Sequence, residues 1–377
     1  MQRITSNQYI IIAAFCILTS KIMTMPTIIF SFAGKDAIFS IVLNMLVDLT
    51  IVILITGLIQ KYPNTTFLDL LTKKFTRFGA VVLSTLLVVF ILFKGVFLLQ
   101  ETLSFFTLAL YEKVNLWLLL IPAIMTILYI SYKGLNALGR SIDIYWIFVF
   151  ATIIIILIIS ITQADFSANL PYFENGFLPV LKGSAHSSLY VGNGLVLLFF
   201  MGKVEHKPRT FKFAVIFSIV VTLFIILDDL IFYCLFTDFV PYCTFALSNL
   251  SQYSPFVTDL GHIGWLSIVE STINLIFISS ICCYCVRQYL QFTFKISKKI
   301  VSTLVCGAMY LGIMYIFDFT LYNMLDFVKN WGFYYNLGLI PLMLTLCIVL
   351  LSISQKSKKT IKNDLFLEEN AKCKNQG

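Results

Sequence analysis

Seven ionisable residues stand inside long apolar runs of this chain: Lys21, Asp48, Lys94, Glu101, Asp228, Asp229 and Glu270. At bilayer mid-depth each charge costs several kcal/mol, about 2.5–3.5 on insertion scales, unless it is paired, neutralised or hydrated. Lys21 and Asp48 lie at similar depth on successive spans and can pair. Lys94 and Glu101 are two turns apart on one helix face, so both point into a bundle together. Glu270 stands about two turns into its helix, with Asn274 one turn further on the same face. Five acids against two bases leave some carboxyls without a basic partner. Those are protonated, in contact with water, or open to a cationic group on a ligand. Asp228 and Asp229, nearer a helix end, read as register-fixing or snorkelling groups. Glu101 and Glu270 read as the lining of a polar cavity.

Two of the apolar runs are interrupted. Thr19-Ser20-Lys21-Ile22-Met23-Thr24-Met25-Pro26 puts hydroxyls, a charge and a proline inside the first run. Proline removes a backbone donor and obstructs the preceding carbonyl, so the helical ladder opens just before it. In the sixth run, Gly183-Ser184-Ala185-His186-Ser187-Ser188 precedes Tyr190-Val191-Gly192-Asn193-Gly194, a poor helix former. Unwound backbone within a membrane is tolerated only beside a cavity or inside protein. The two broken spans open the two halves of a ten-span chain, the pattern of a five-plus-five inverted repeat with a ligand site at its interface. The plainer reading is a proline kink and glycine-mediated close packing. Open helix ends offer amides to a carboxylate and carbonyls to an ammonium, which suits a small zwitterion such as an amino acid. The candidate ligand-binding residues are therefore Thr19, Ser20, Lys21, Thr24, Glu101, Tyr190, Gly192, Asn193, Glu270 and Asn274.

The elements that must position them follow from composition. Of 377 residues, 59% are hydrophobic and only 12% charged, with a mean hydropathy of +0.91. Soluble domains carry about 25% charged residues. The chain is expected to be an all-α integral membrane protein with about ten transmembrane helices, the first and sixth of them broken. The spans fall near 7–33, 37–59, 78–108, 115–132, 141–162, 177–202, 211–236, 262–291, 300–317 and 333–353. Residues 1–353 then form one transmembrane permease-like domain and 354–377 a cytoplasmic polar tail. Segments 163–176 and 237–261 read as loops or surface-lying helices. The first run lacks a cleavage site and reads as a retained helix, with Thr5 and Gln8 forming a capping box. Lysine and arginine collect on one side of the spans, including Lys61, Lys73, Lys74, Arg140, Lys203 and the tail lysines. That side is cytoplasmic, and both termini lie there. Trp117, Trp265 and Trp331 fall at outer ends and Trp146 at an inner end, as an aromatic belt requires.

The net charge of +8 is then a topology signal, not a nucleic-acid footprint. Nine cysteines, mostly in apolar runs, read as packing residues and not as disulfides. Cys282, Cys283 and Cys285 have no histidine near in sequence, so no metal site is read there. No nucleophile–base pair or phosphate loop appears, so the chain is not read as an enzyme, and no catalytic residue or cofactor is assigned.

An ordered series of short motifs carries a resemblance. Ile4-Thr5-Ser6-Asn7-Gln8, Met25-Pro26, Ala33-Gly34-Lys35-Asp36-Ala37 and Lys61-Tyr62-Pro63-Asn64-Thr65-Thr66-Phe67 are followed by Lys133-Gly134-Leu135 through Arg140. Ala164-Asp165-Phe166 and Leu178-Pro179-Val180-Leu181-Lys182-Gly183 complete it. Over residues 4–353 the chain resembles the spore germination permease (GerAB) family, within the amino acid–polyamine–organocation superfamily. The resemblance implies a B-subunit of a nutrient-germinant receptor in the spore inner membrane, acting with A-type and C-type subunits on a small germinant such as an amino acid. It carries Ser20 to Pro26 and Tyr190 to Gly194 over as binding segments. Where the family usually has a small residue in the first break, this chain has Lys21 and Ile22. A lysine there takes a cation-like position, receives a carboxylate, or marks a different pocket. Two functions stay open: germinant sensing, in which a ligand biases the bundle and its partners, and secondary active amino-acid transport, with proton coupling through Glu101 or Glu270.

Overall fold

The computed structural model describes residues 3–109, 115–167, 171–174, 176–205, 207, 209–253 and 264–352. The expected tail at 354–377 lies outside the described residues, as does 254–261 of the longer connection. Within the described residues the regular structure is helical, apart from a lone parallel bridge between Ile4 and Val204. Eight helices among the described residues are long and apolar enough to cross a membrane, and Ser6–Leu18 and Ser188–Phe200 are shorter apolar stretches.

The first helix, α1 (Ser6–Leu18), starts on the expected capping box: Gln8 Oε1 accepts the Thr5 amide at 3.0 Å and Thr5 Oγ1 accepts the Gln8 amide at 3.3 Å. It stops at Leu18, and Thr19–Ile22 is a tighter 3-10 turn. α2 (Met25–Ala33) restarts with Pro26 in its first turn, where a missing amide hydrogen leaves no bond unmade. Gly34 turns the chain into α3 (Ala37–Lys61). α4 (Phe67–Lys74) follows on the connection, its start fixed by the Thr66 hydroxyl accepting the Asp69 amide.

Next come α5 (Arg77–Ala109), α6 (Leu116–Lys133) and α7 (Leu135–Ile161). α7 starts six residues before the expected 141. Arg140 lowers the local hydropathy yet lies within the helix, and Asp143 one turn on accepts Gln8 Nε2 at 2.6 Å. The sixth run holds α8 (Leu178–His186), a short turn at Ser188–Tyr190 and a 3-10 stretch at Asn193–Phe200. Gly192 joins the last two with φ +85°, left-handed geometry that favours glycine. α9 (Thr210–Phe236), α10 (Ala246–Tyr253), α11 (Gly264–Thr293) and α12 (Lys299–Ile316) follow. α13 (Leu321–Phe327) leads through a π turn at Val328–Gly332 into α14 (Phe333–Ser352).

The packing sets the two interruptions beside each other. α11 lies along α5, α9 packs on α1 and α3, and α8 packs on α2 and α3. The Ser279 hydroxyl donates to the Gly95 carbonyl at 2.8 Å, and a Cβ added at Gly95 would stand 2.0 Å from Tyr310 Oη. Outward faces carry Leu118, Ile144, Leu223 and Leu304, all exposed. Such faces cost nothing in lipid, so contact between these spans is driven by close packing and polar bonds. Among the described residues, Cys243, Cys282, Cys283, Cys285, Cys306 and Cys347 are free thiols.

Candidate functional site

The first interruption presents Lys21, Met23 and Thr24, all buried; the second presents Tyr190, Val191, Gly192 and Asn193, also buried. Peptide groups freed by unwinding need partners where water is scarce. The structure supplies them from charged side chains. Asp48 on α3 pairs through one carboxylate oxygen with Lys21, and its other oxygen accepts the Gly192 amide at 2.8 Å. Lys94 on α5 donates to the Val191 carbonyl at 2.9 Å, with Nζ 5.1 Å from the Phe90 ring centre. Asp48 thus bridges both interruptions, and the second has its amide and its carbonyl satisfied from within.

A second bridge runs beside it. The Thr24 hydroxyl donates to Glu101 Oε1 at 2.5 Å. Thr24 Oγ1 also lies 2.7 Å from Tyr190 Oη. A threonine hydroxyl has one proton to give, so with Glu101 ionised the order is Tyr190 to Thr24 to Glu101. Glu101 Oε2 is buried without a partner among the described residues. The Met23 carbonyl accepts the Ala246 amide at 2.8 Å, and the Pro26 carbonyl accepts Tyr233 Oη at 2.9 Å.

Above Thr24 a cavity of about 640 Å³ opens between α2, α5 and the segment around α13. Hydroxyls line much of it: Thr24, Thr27, Ser31, Ser104, Thr107 and Thr244. Lys329 of the π turn reaches the same cavity, while its carbonyl accepts His186 Nδ1 at 2.8 Å. The volume lies within the range typical of small-molecule sites. At the other end of the 3-10 stretch, a cavity of about 380 Å³ is lined by Phe67, Asp69, Phe199 and Lys203, among others.

Of the candidate residues, Thr24 forms part of the cavity wall, and Glu101 and Tyr190 lie directly behind it by hydrogen bonds. Lys21 and Gly192 join them through Asp48. Asn193 reaches back to the Tyr190 carbonyl at 3.5 Å, and its Oδ1 is buried and unpartnered among the described residues. Thr19 and Ser20 lie in the first turn; their side chains lie outside the described ones. Glu270 and Asn274 stand apart from the cavity wall. Glu270 accepts the Ser271 hydroxyl at 3.1 Å, and the same hydroxyl lies 3.2 Å from Met23 Sδ. Asp228 and Asp229 are fully buried, with no hydrogen-bond partner among the described residues, so they do not snorkel to an interface. Thr27, Ser31 and Ser104 lie outside the sequence candidates, although Thr24, Thr27 and Ser31 keep the spacing of one helix face and Ser104 stands one turn from Glu101.

A family model described as spore germination protein matches residues 3–322. The chain belongs to the spore germination permease family. Members of that family are membrane proteins and not enzymes. Spore germination protein XB of Bacillus anthracis is 24% identical over 306 residues, which cover 78% of this chain and 83% of that protein. Among solved structures, the permease resembles MhsT in complex with L-phenylalanine, with a TM-score of 0.65 at 14% identity. The match covers 94% of this chain and 97% of that one. At that identity the likeness shows the fold alone, a helical architecture shared over nearly the whole of both chains.

Proposed function

We propose that this permease is the membrane subunit of a spore nutrient-germinant receptor, binding a small germinant, an amino acid or related amine, in the 640 Å³ cavity above Thr24. The observation that carries the reading is the cavity floor. Thr24 of the first interruption and Tyr190 of the second meet there over Glu101, so a ligand pressing on Thr24 acts on both broken helices at once. A ligand shifts such a bundle only by binding one arrangement more tightly than another. In this reading the chain forms ten spans in a five-plus-five inverted repeat, with residues 1–353 in the membrane and the 354–377 tail cytoplasmic. Both termini are cytoplasmic, the membrane is the spore inner membrane, and the signal passes to A-type and C-type subunits. L-phenylalanine bound in MhsT supports an amino-acid-sized ligand for this fold.

Transport is the alternative, and the cavity of about 380 Å³ at the opposite end of the broken sixth run favours it. One experiment tests the site under either reading. Ser104→Trp fills the cavity from α5 and is expected to abolish amino-acid-induced thermal stabilisation of the permease in nanodiscs, leaving its insertion intact. Undiminished stabilisation would remove the cavity from the function. Uptake of labelled amino acid into sealed vesicles, against a germination response requiring the partner subunits, separates transport from sensing.

A further inference from the structure

A ligand with both an ammonium and a carboxylate needs a receptor for each. Helix ends at the two interruptions are the natural anion receptors, because their amides point outward and the helix dipole favours negative charge. Here each interruption already faces one of the protein's own acids. Asp48 holds the Gly192 amide, and Glu101 holds the hydroxyl of Thr24 at the start of α2. The two buried lysines are committed as well, Lys21 to Asp48 and Lys94 to the Val191 carbonyl. Lys329, half-buried at the cavity rim, is the cation left on the wall, and at a partly solvated position its pull on an anion is weak. Directly beneath the floor an acceptor remains unused: Glu101 Oε2, fully buried and unpartnered among the described residues, one hydrogen bond from Thr24.

We infer that the cavity reads its ligand through a positively charged amine held over Thr24 and Glu101, and does not read a carboxylate. This rests on the cavity being the ligand site. An ammonium stationed on Thr24 Oγ1 lies two hydrogen-bond lengths from the Glu101 carboxyl group, about 5 Å. At that range in a low-dielectric interior the attraction is far stronger than in water. The surrounding hydroxyls of Thr27, Ser31 and Ser104 can take the remaining ammonium protons and any neutral polar group. The ligand class is therefore a primary amine with an uncharged body, of which a free amino acid is one case and not the preferred one.

The test uses the full chain in nanodiscs and four probes of one shape: L-phenylalanine, L-phenylalaninamide, phenethylamine and 3-phenyllactate, with binding read by thermal shift and calorimetry. The amide and the amine are expected to bind at least as tightly as the amino acid. The hydroxy acid should be weaker by at least about tenfold, the scale of one charge-assisted hydrogen bond. Glu101→Gln keeps the acceptor for Thr24 and should bring the amines down to the level of the hydroxy acid, whereas Glu101→Asp should retain part of the preference. Phenyllactate equal to phenylalanine with phenethylamine silent, or an amine preference unchanged in Glu101→Gln, overturns the inference. So does the absence of binding by either amine. If Ser104→Trp still abolishes binding in those cases, the cavity stands and the amine reading alone falls. Binding that Ser104→Trp leaves untouched removes the cavity itself.

Discussion

Asp48→Asn is the perturbation that most directly tests how the interruptions are held. Asparagine has the size of aspartate and keeps an acceptor for the Gly192 amide, so the change removes only the charge facing Lys21. Lys21 is fully buried, and Asp48 is its ion-pair partner among the described residues. Removing one member of a buried pair costs about 3–5 kcal/mol, because the other charge is left uncompensated. That is a large part of the roughly 5–15 kcal/mol by which a folded domain typically exceeds its unfolded state. Lys21→Met is expected to cost less, since Asp48 keeps the Gly192 amide as a donor. The double variant, Lys21→Met with Asp48→Asn, leaves no buried charge and retains the Gly192 bond, so it should recover to within about 1 kcal/mol of the parent. Thermal unfolding of the four proteins in nanodiscs, followed by intrinsic fluorescence, gives the cycle. If Asp48→Asn unfolds within about 0.5 kcal/mol of the parent, or the double variant equals the sum of the singles, Lys21 and Asp48 are not coupled and the bridge is not structural.

Two more substitutions probe the same framework. Gly95→Ala would put a methyl 2.0 Å from Tyr310 Oη and 2.8 Å from Cys282 Cβ, an overpacking worth about 1–3 kcal/mol, and Tyr310→Phe should restore part of the loss in a thermal-unfolding series. Lys94→Met leaves the Val191 carbonyl buried without its donor, at a cost of about 1–3 kcal/mol, and hydrogen exchange should quicken at the amides of Gly192 to Gly194 while α3 stays protected.

Much of this architecture was legible in the letters, because lipid demands long apolar runs and punishes unpaired charge. Lys21 and Asp48 were matched by depth alone, and they pair. Lys94 and Glu101 were set on one face by a spacing of two turns, and both are buried. What they bind was not legible: the Val191 carbonyl and the Thr24 hydroxyl belong to distant segments, and only tertiary packing brings them within reach. α7 starts ahead of the expected 141 because Gly134 alone, at φ +85°, separates it from α6, and Arg140, whose charge argues against a span, lies within the helix. Around α13, Asp318 and Phe319 adopt φ of 51° and 55°, a backbone reversal that no glycine announces.

The π turn at Val328–Gly332 has a consequence of its own. It widens the coil by one residue just where Lys329 leans over the chamber and His186 seizes the same peptide from below. Rewinding that loop of spine to ordinary pitch would rotate the lysine away and tug the histidine's helix in a single movement. One hydrogen bond to the Lys329 carbonyl thus ties the rim to the end of the helix that precedes the deep interruption.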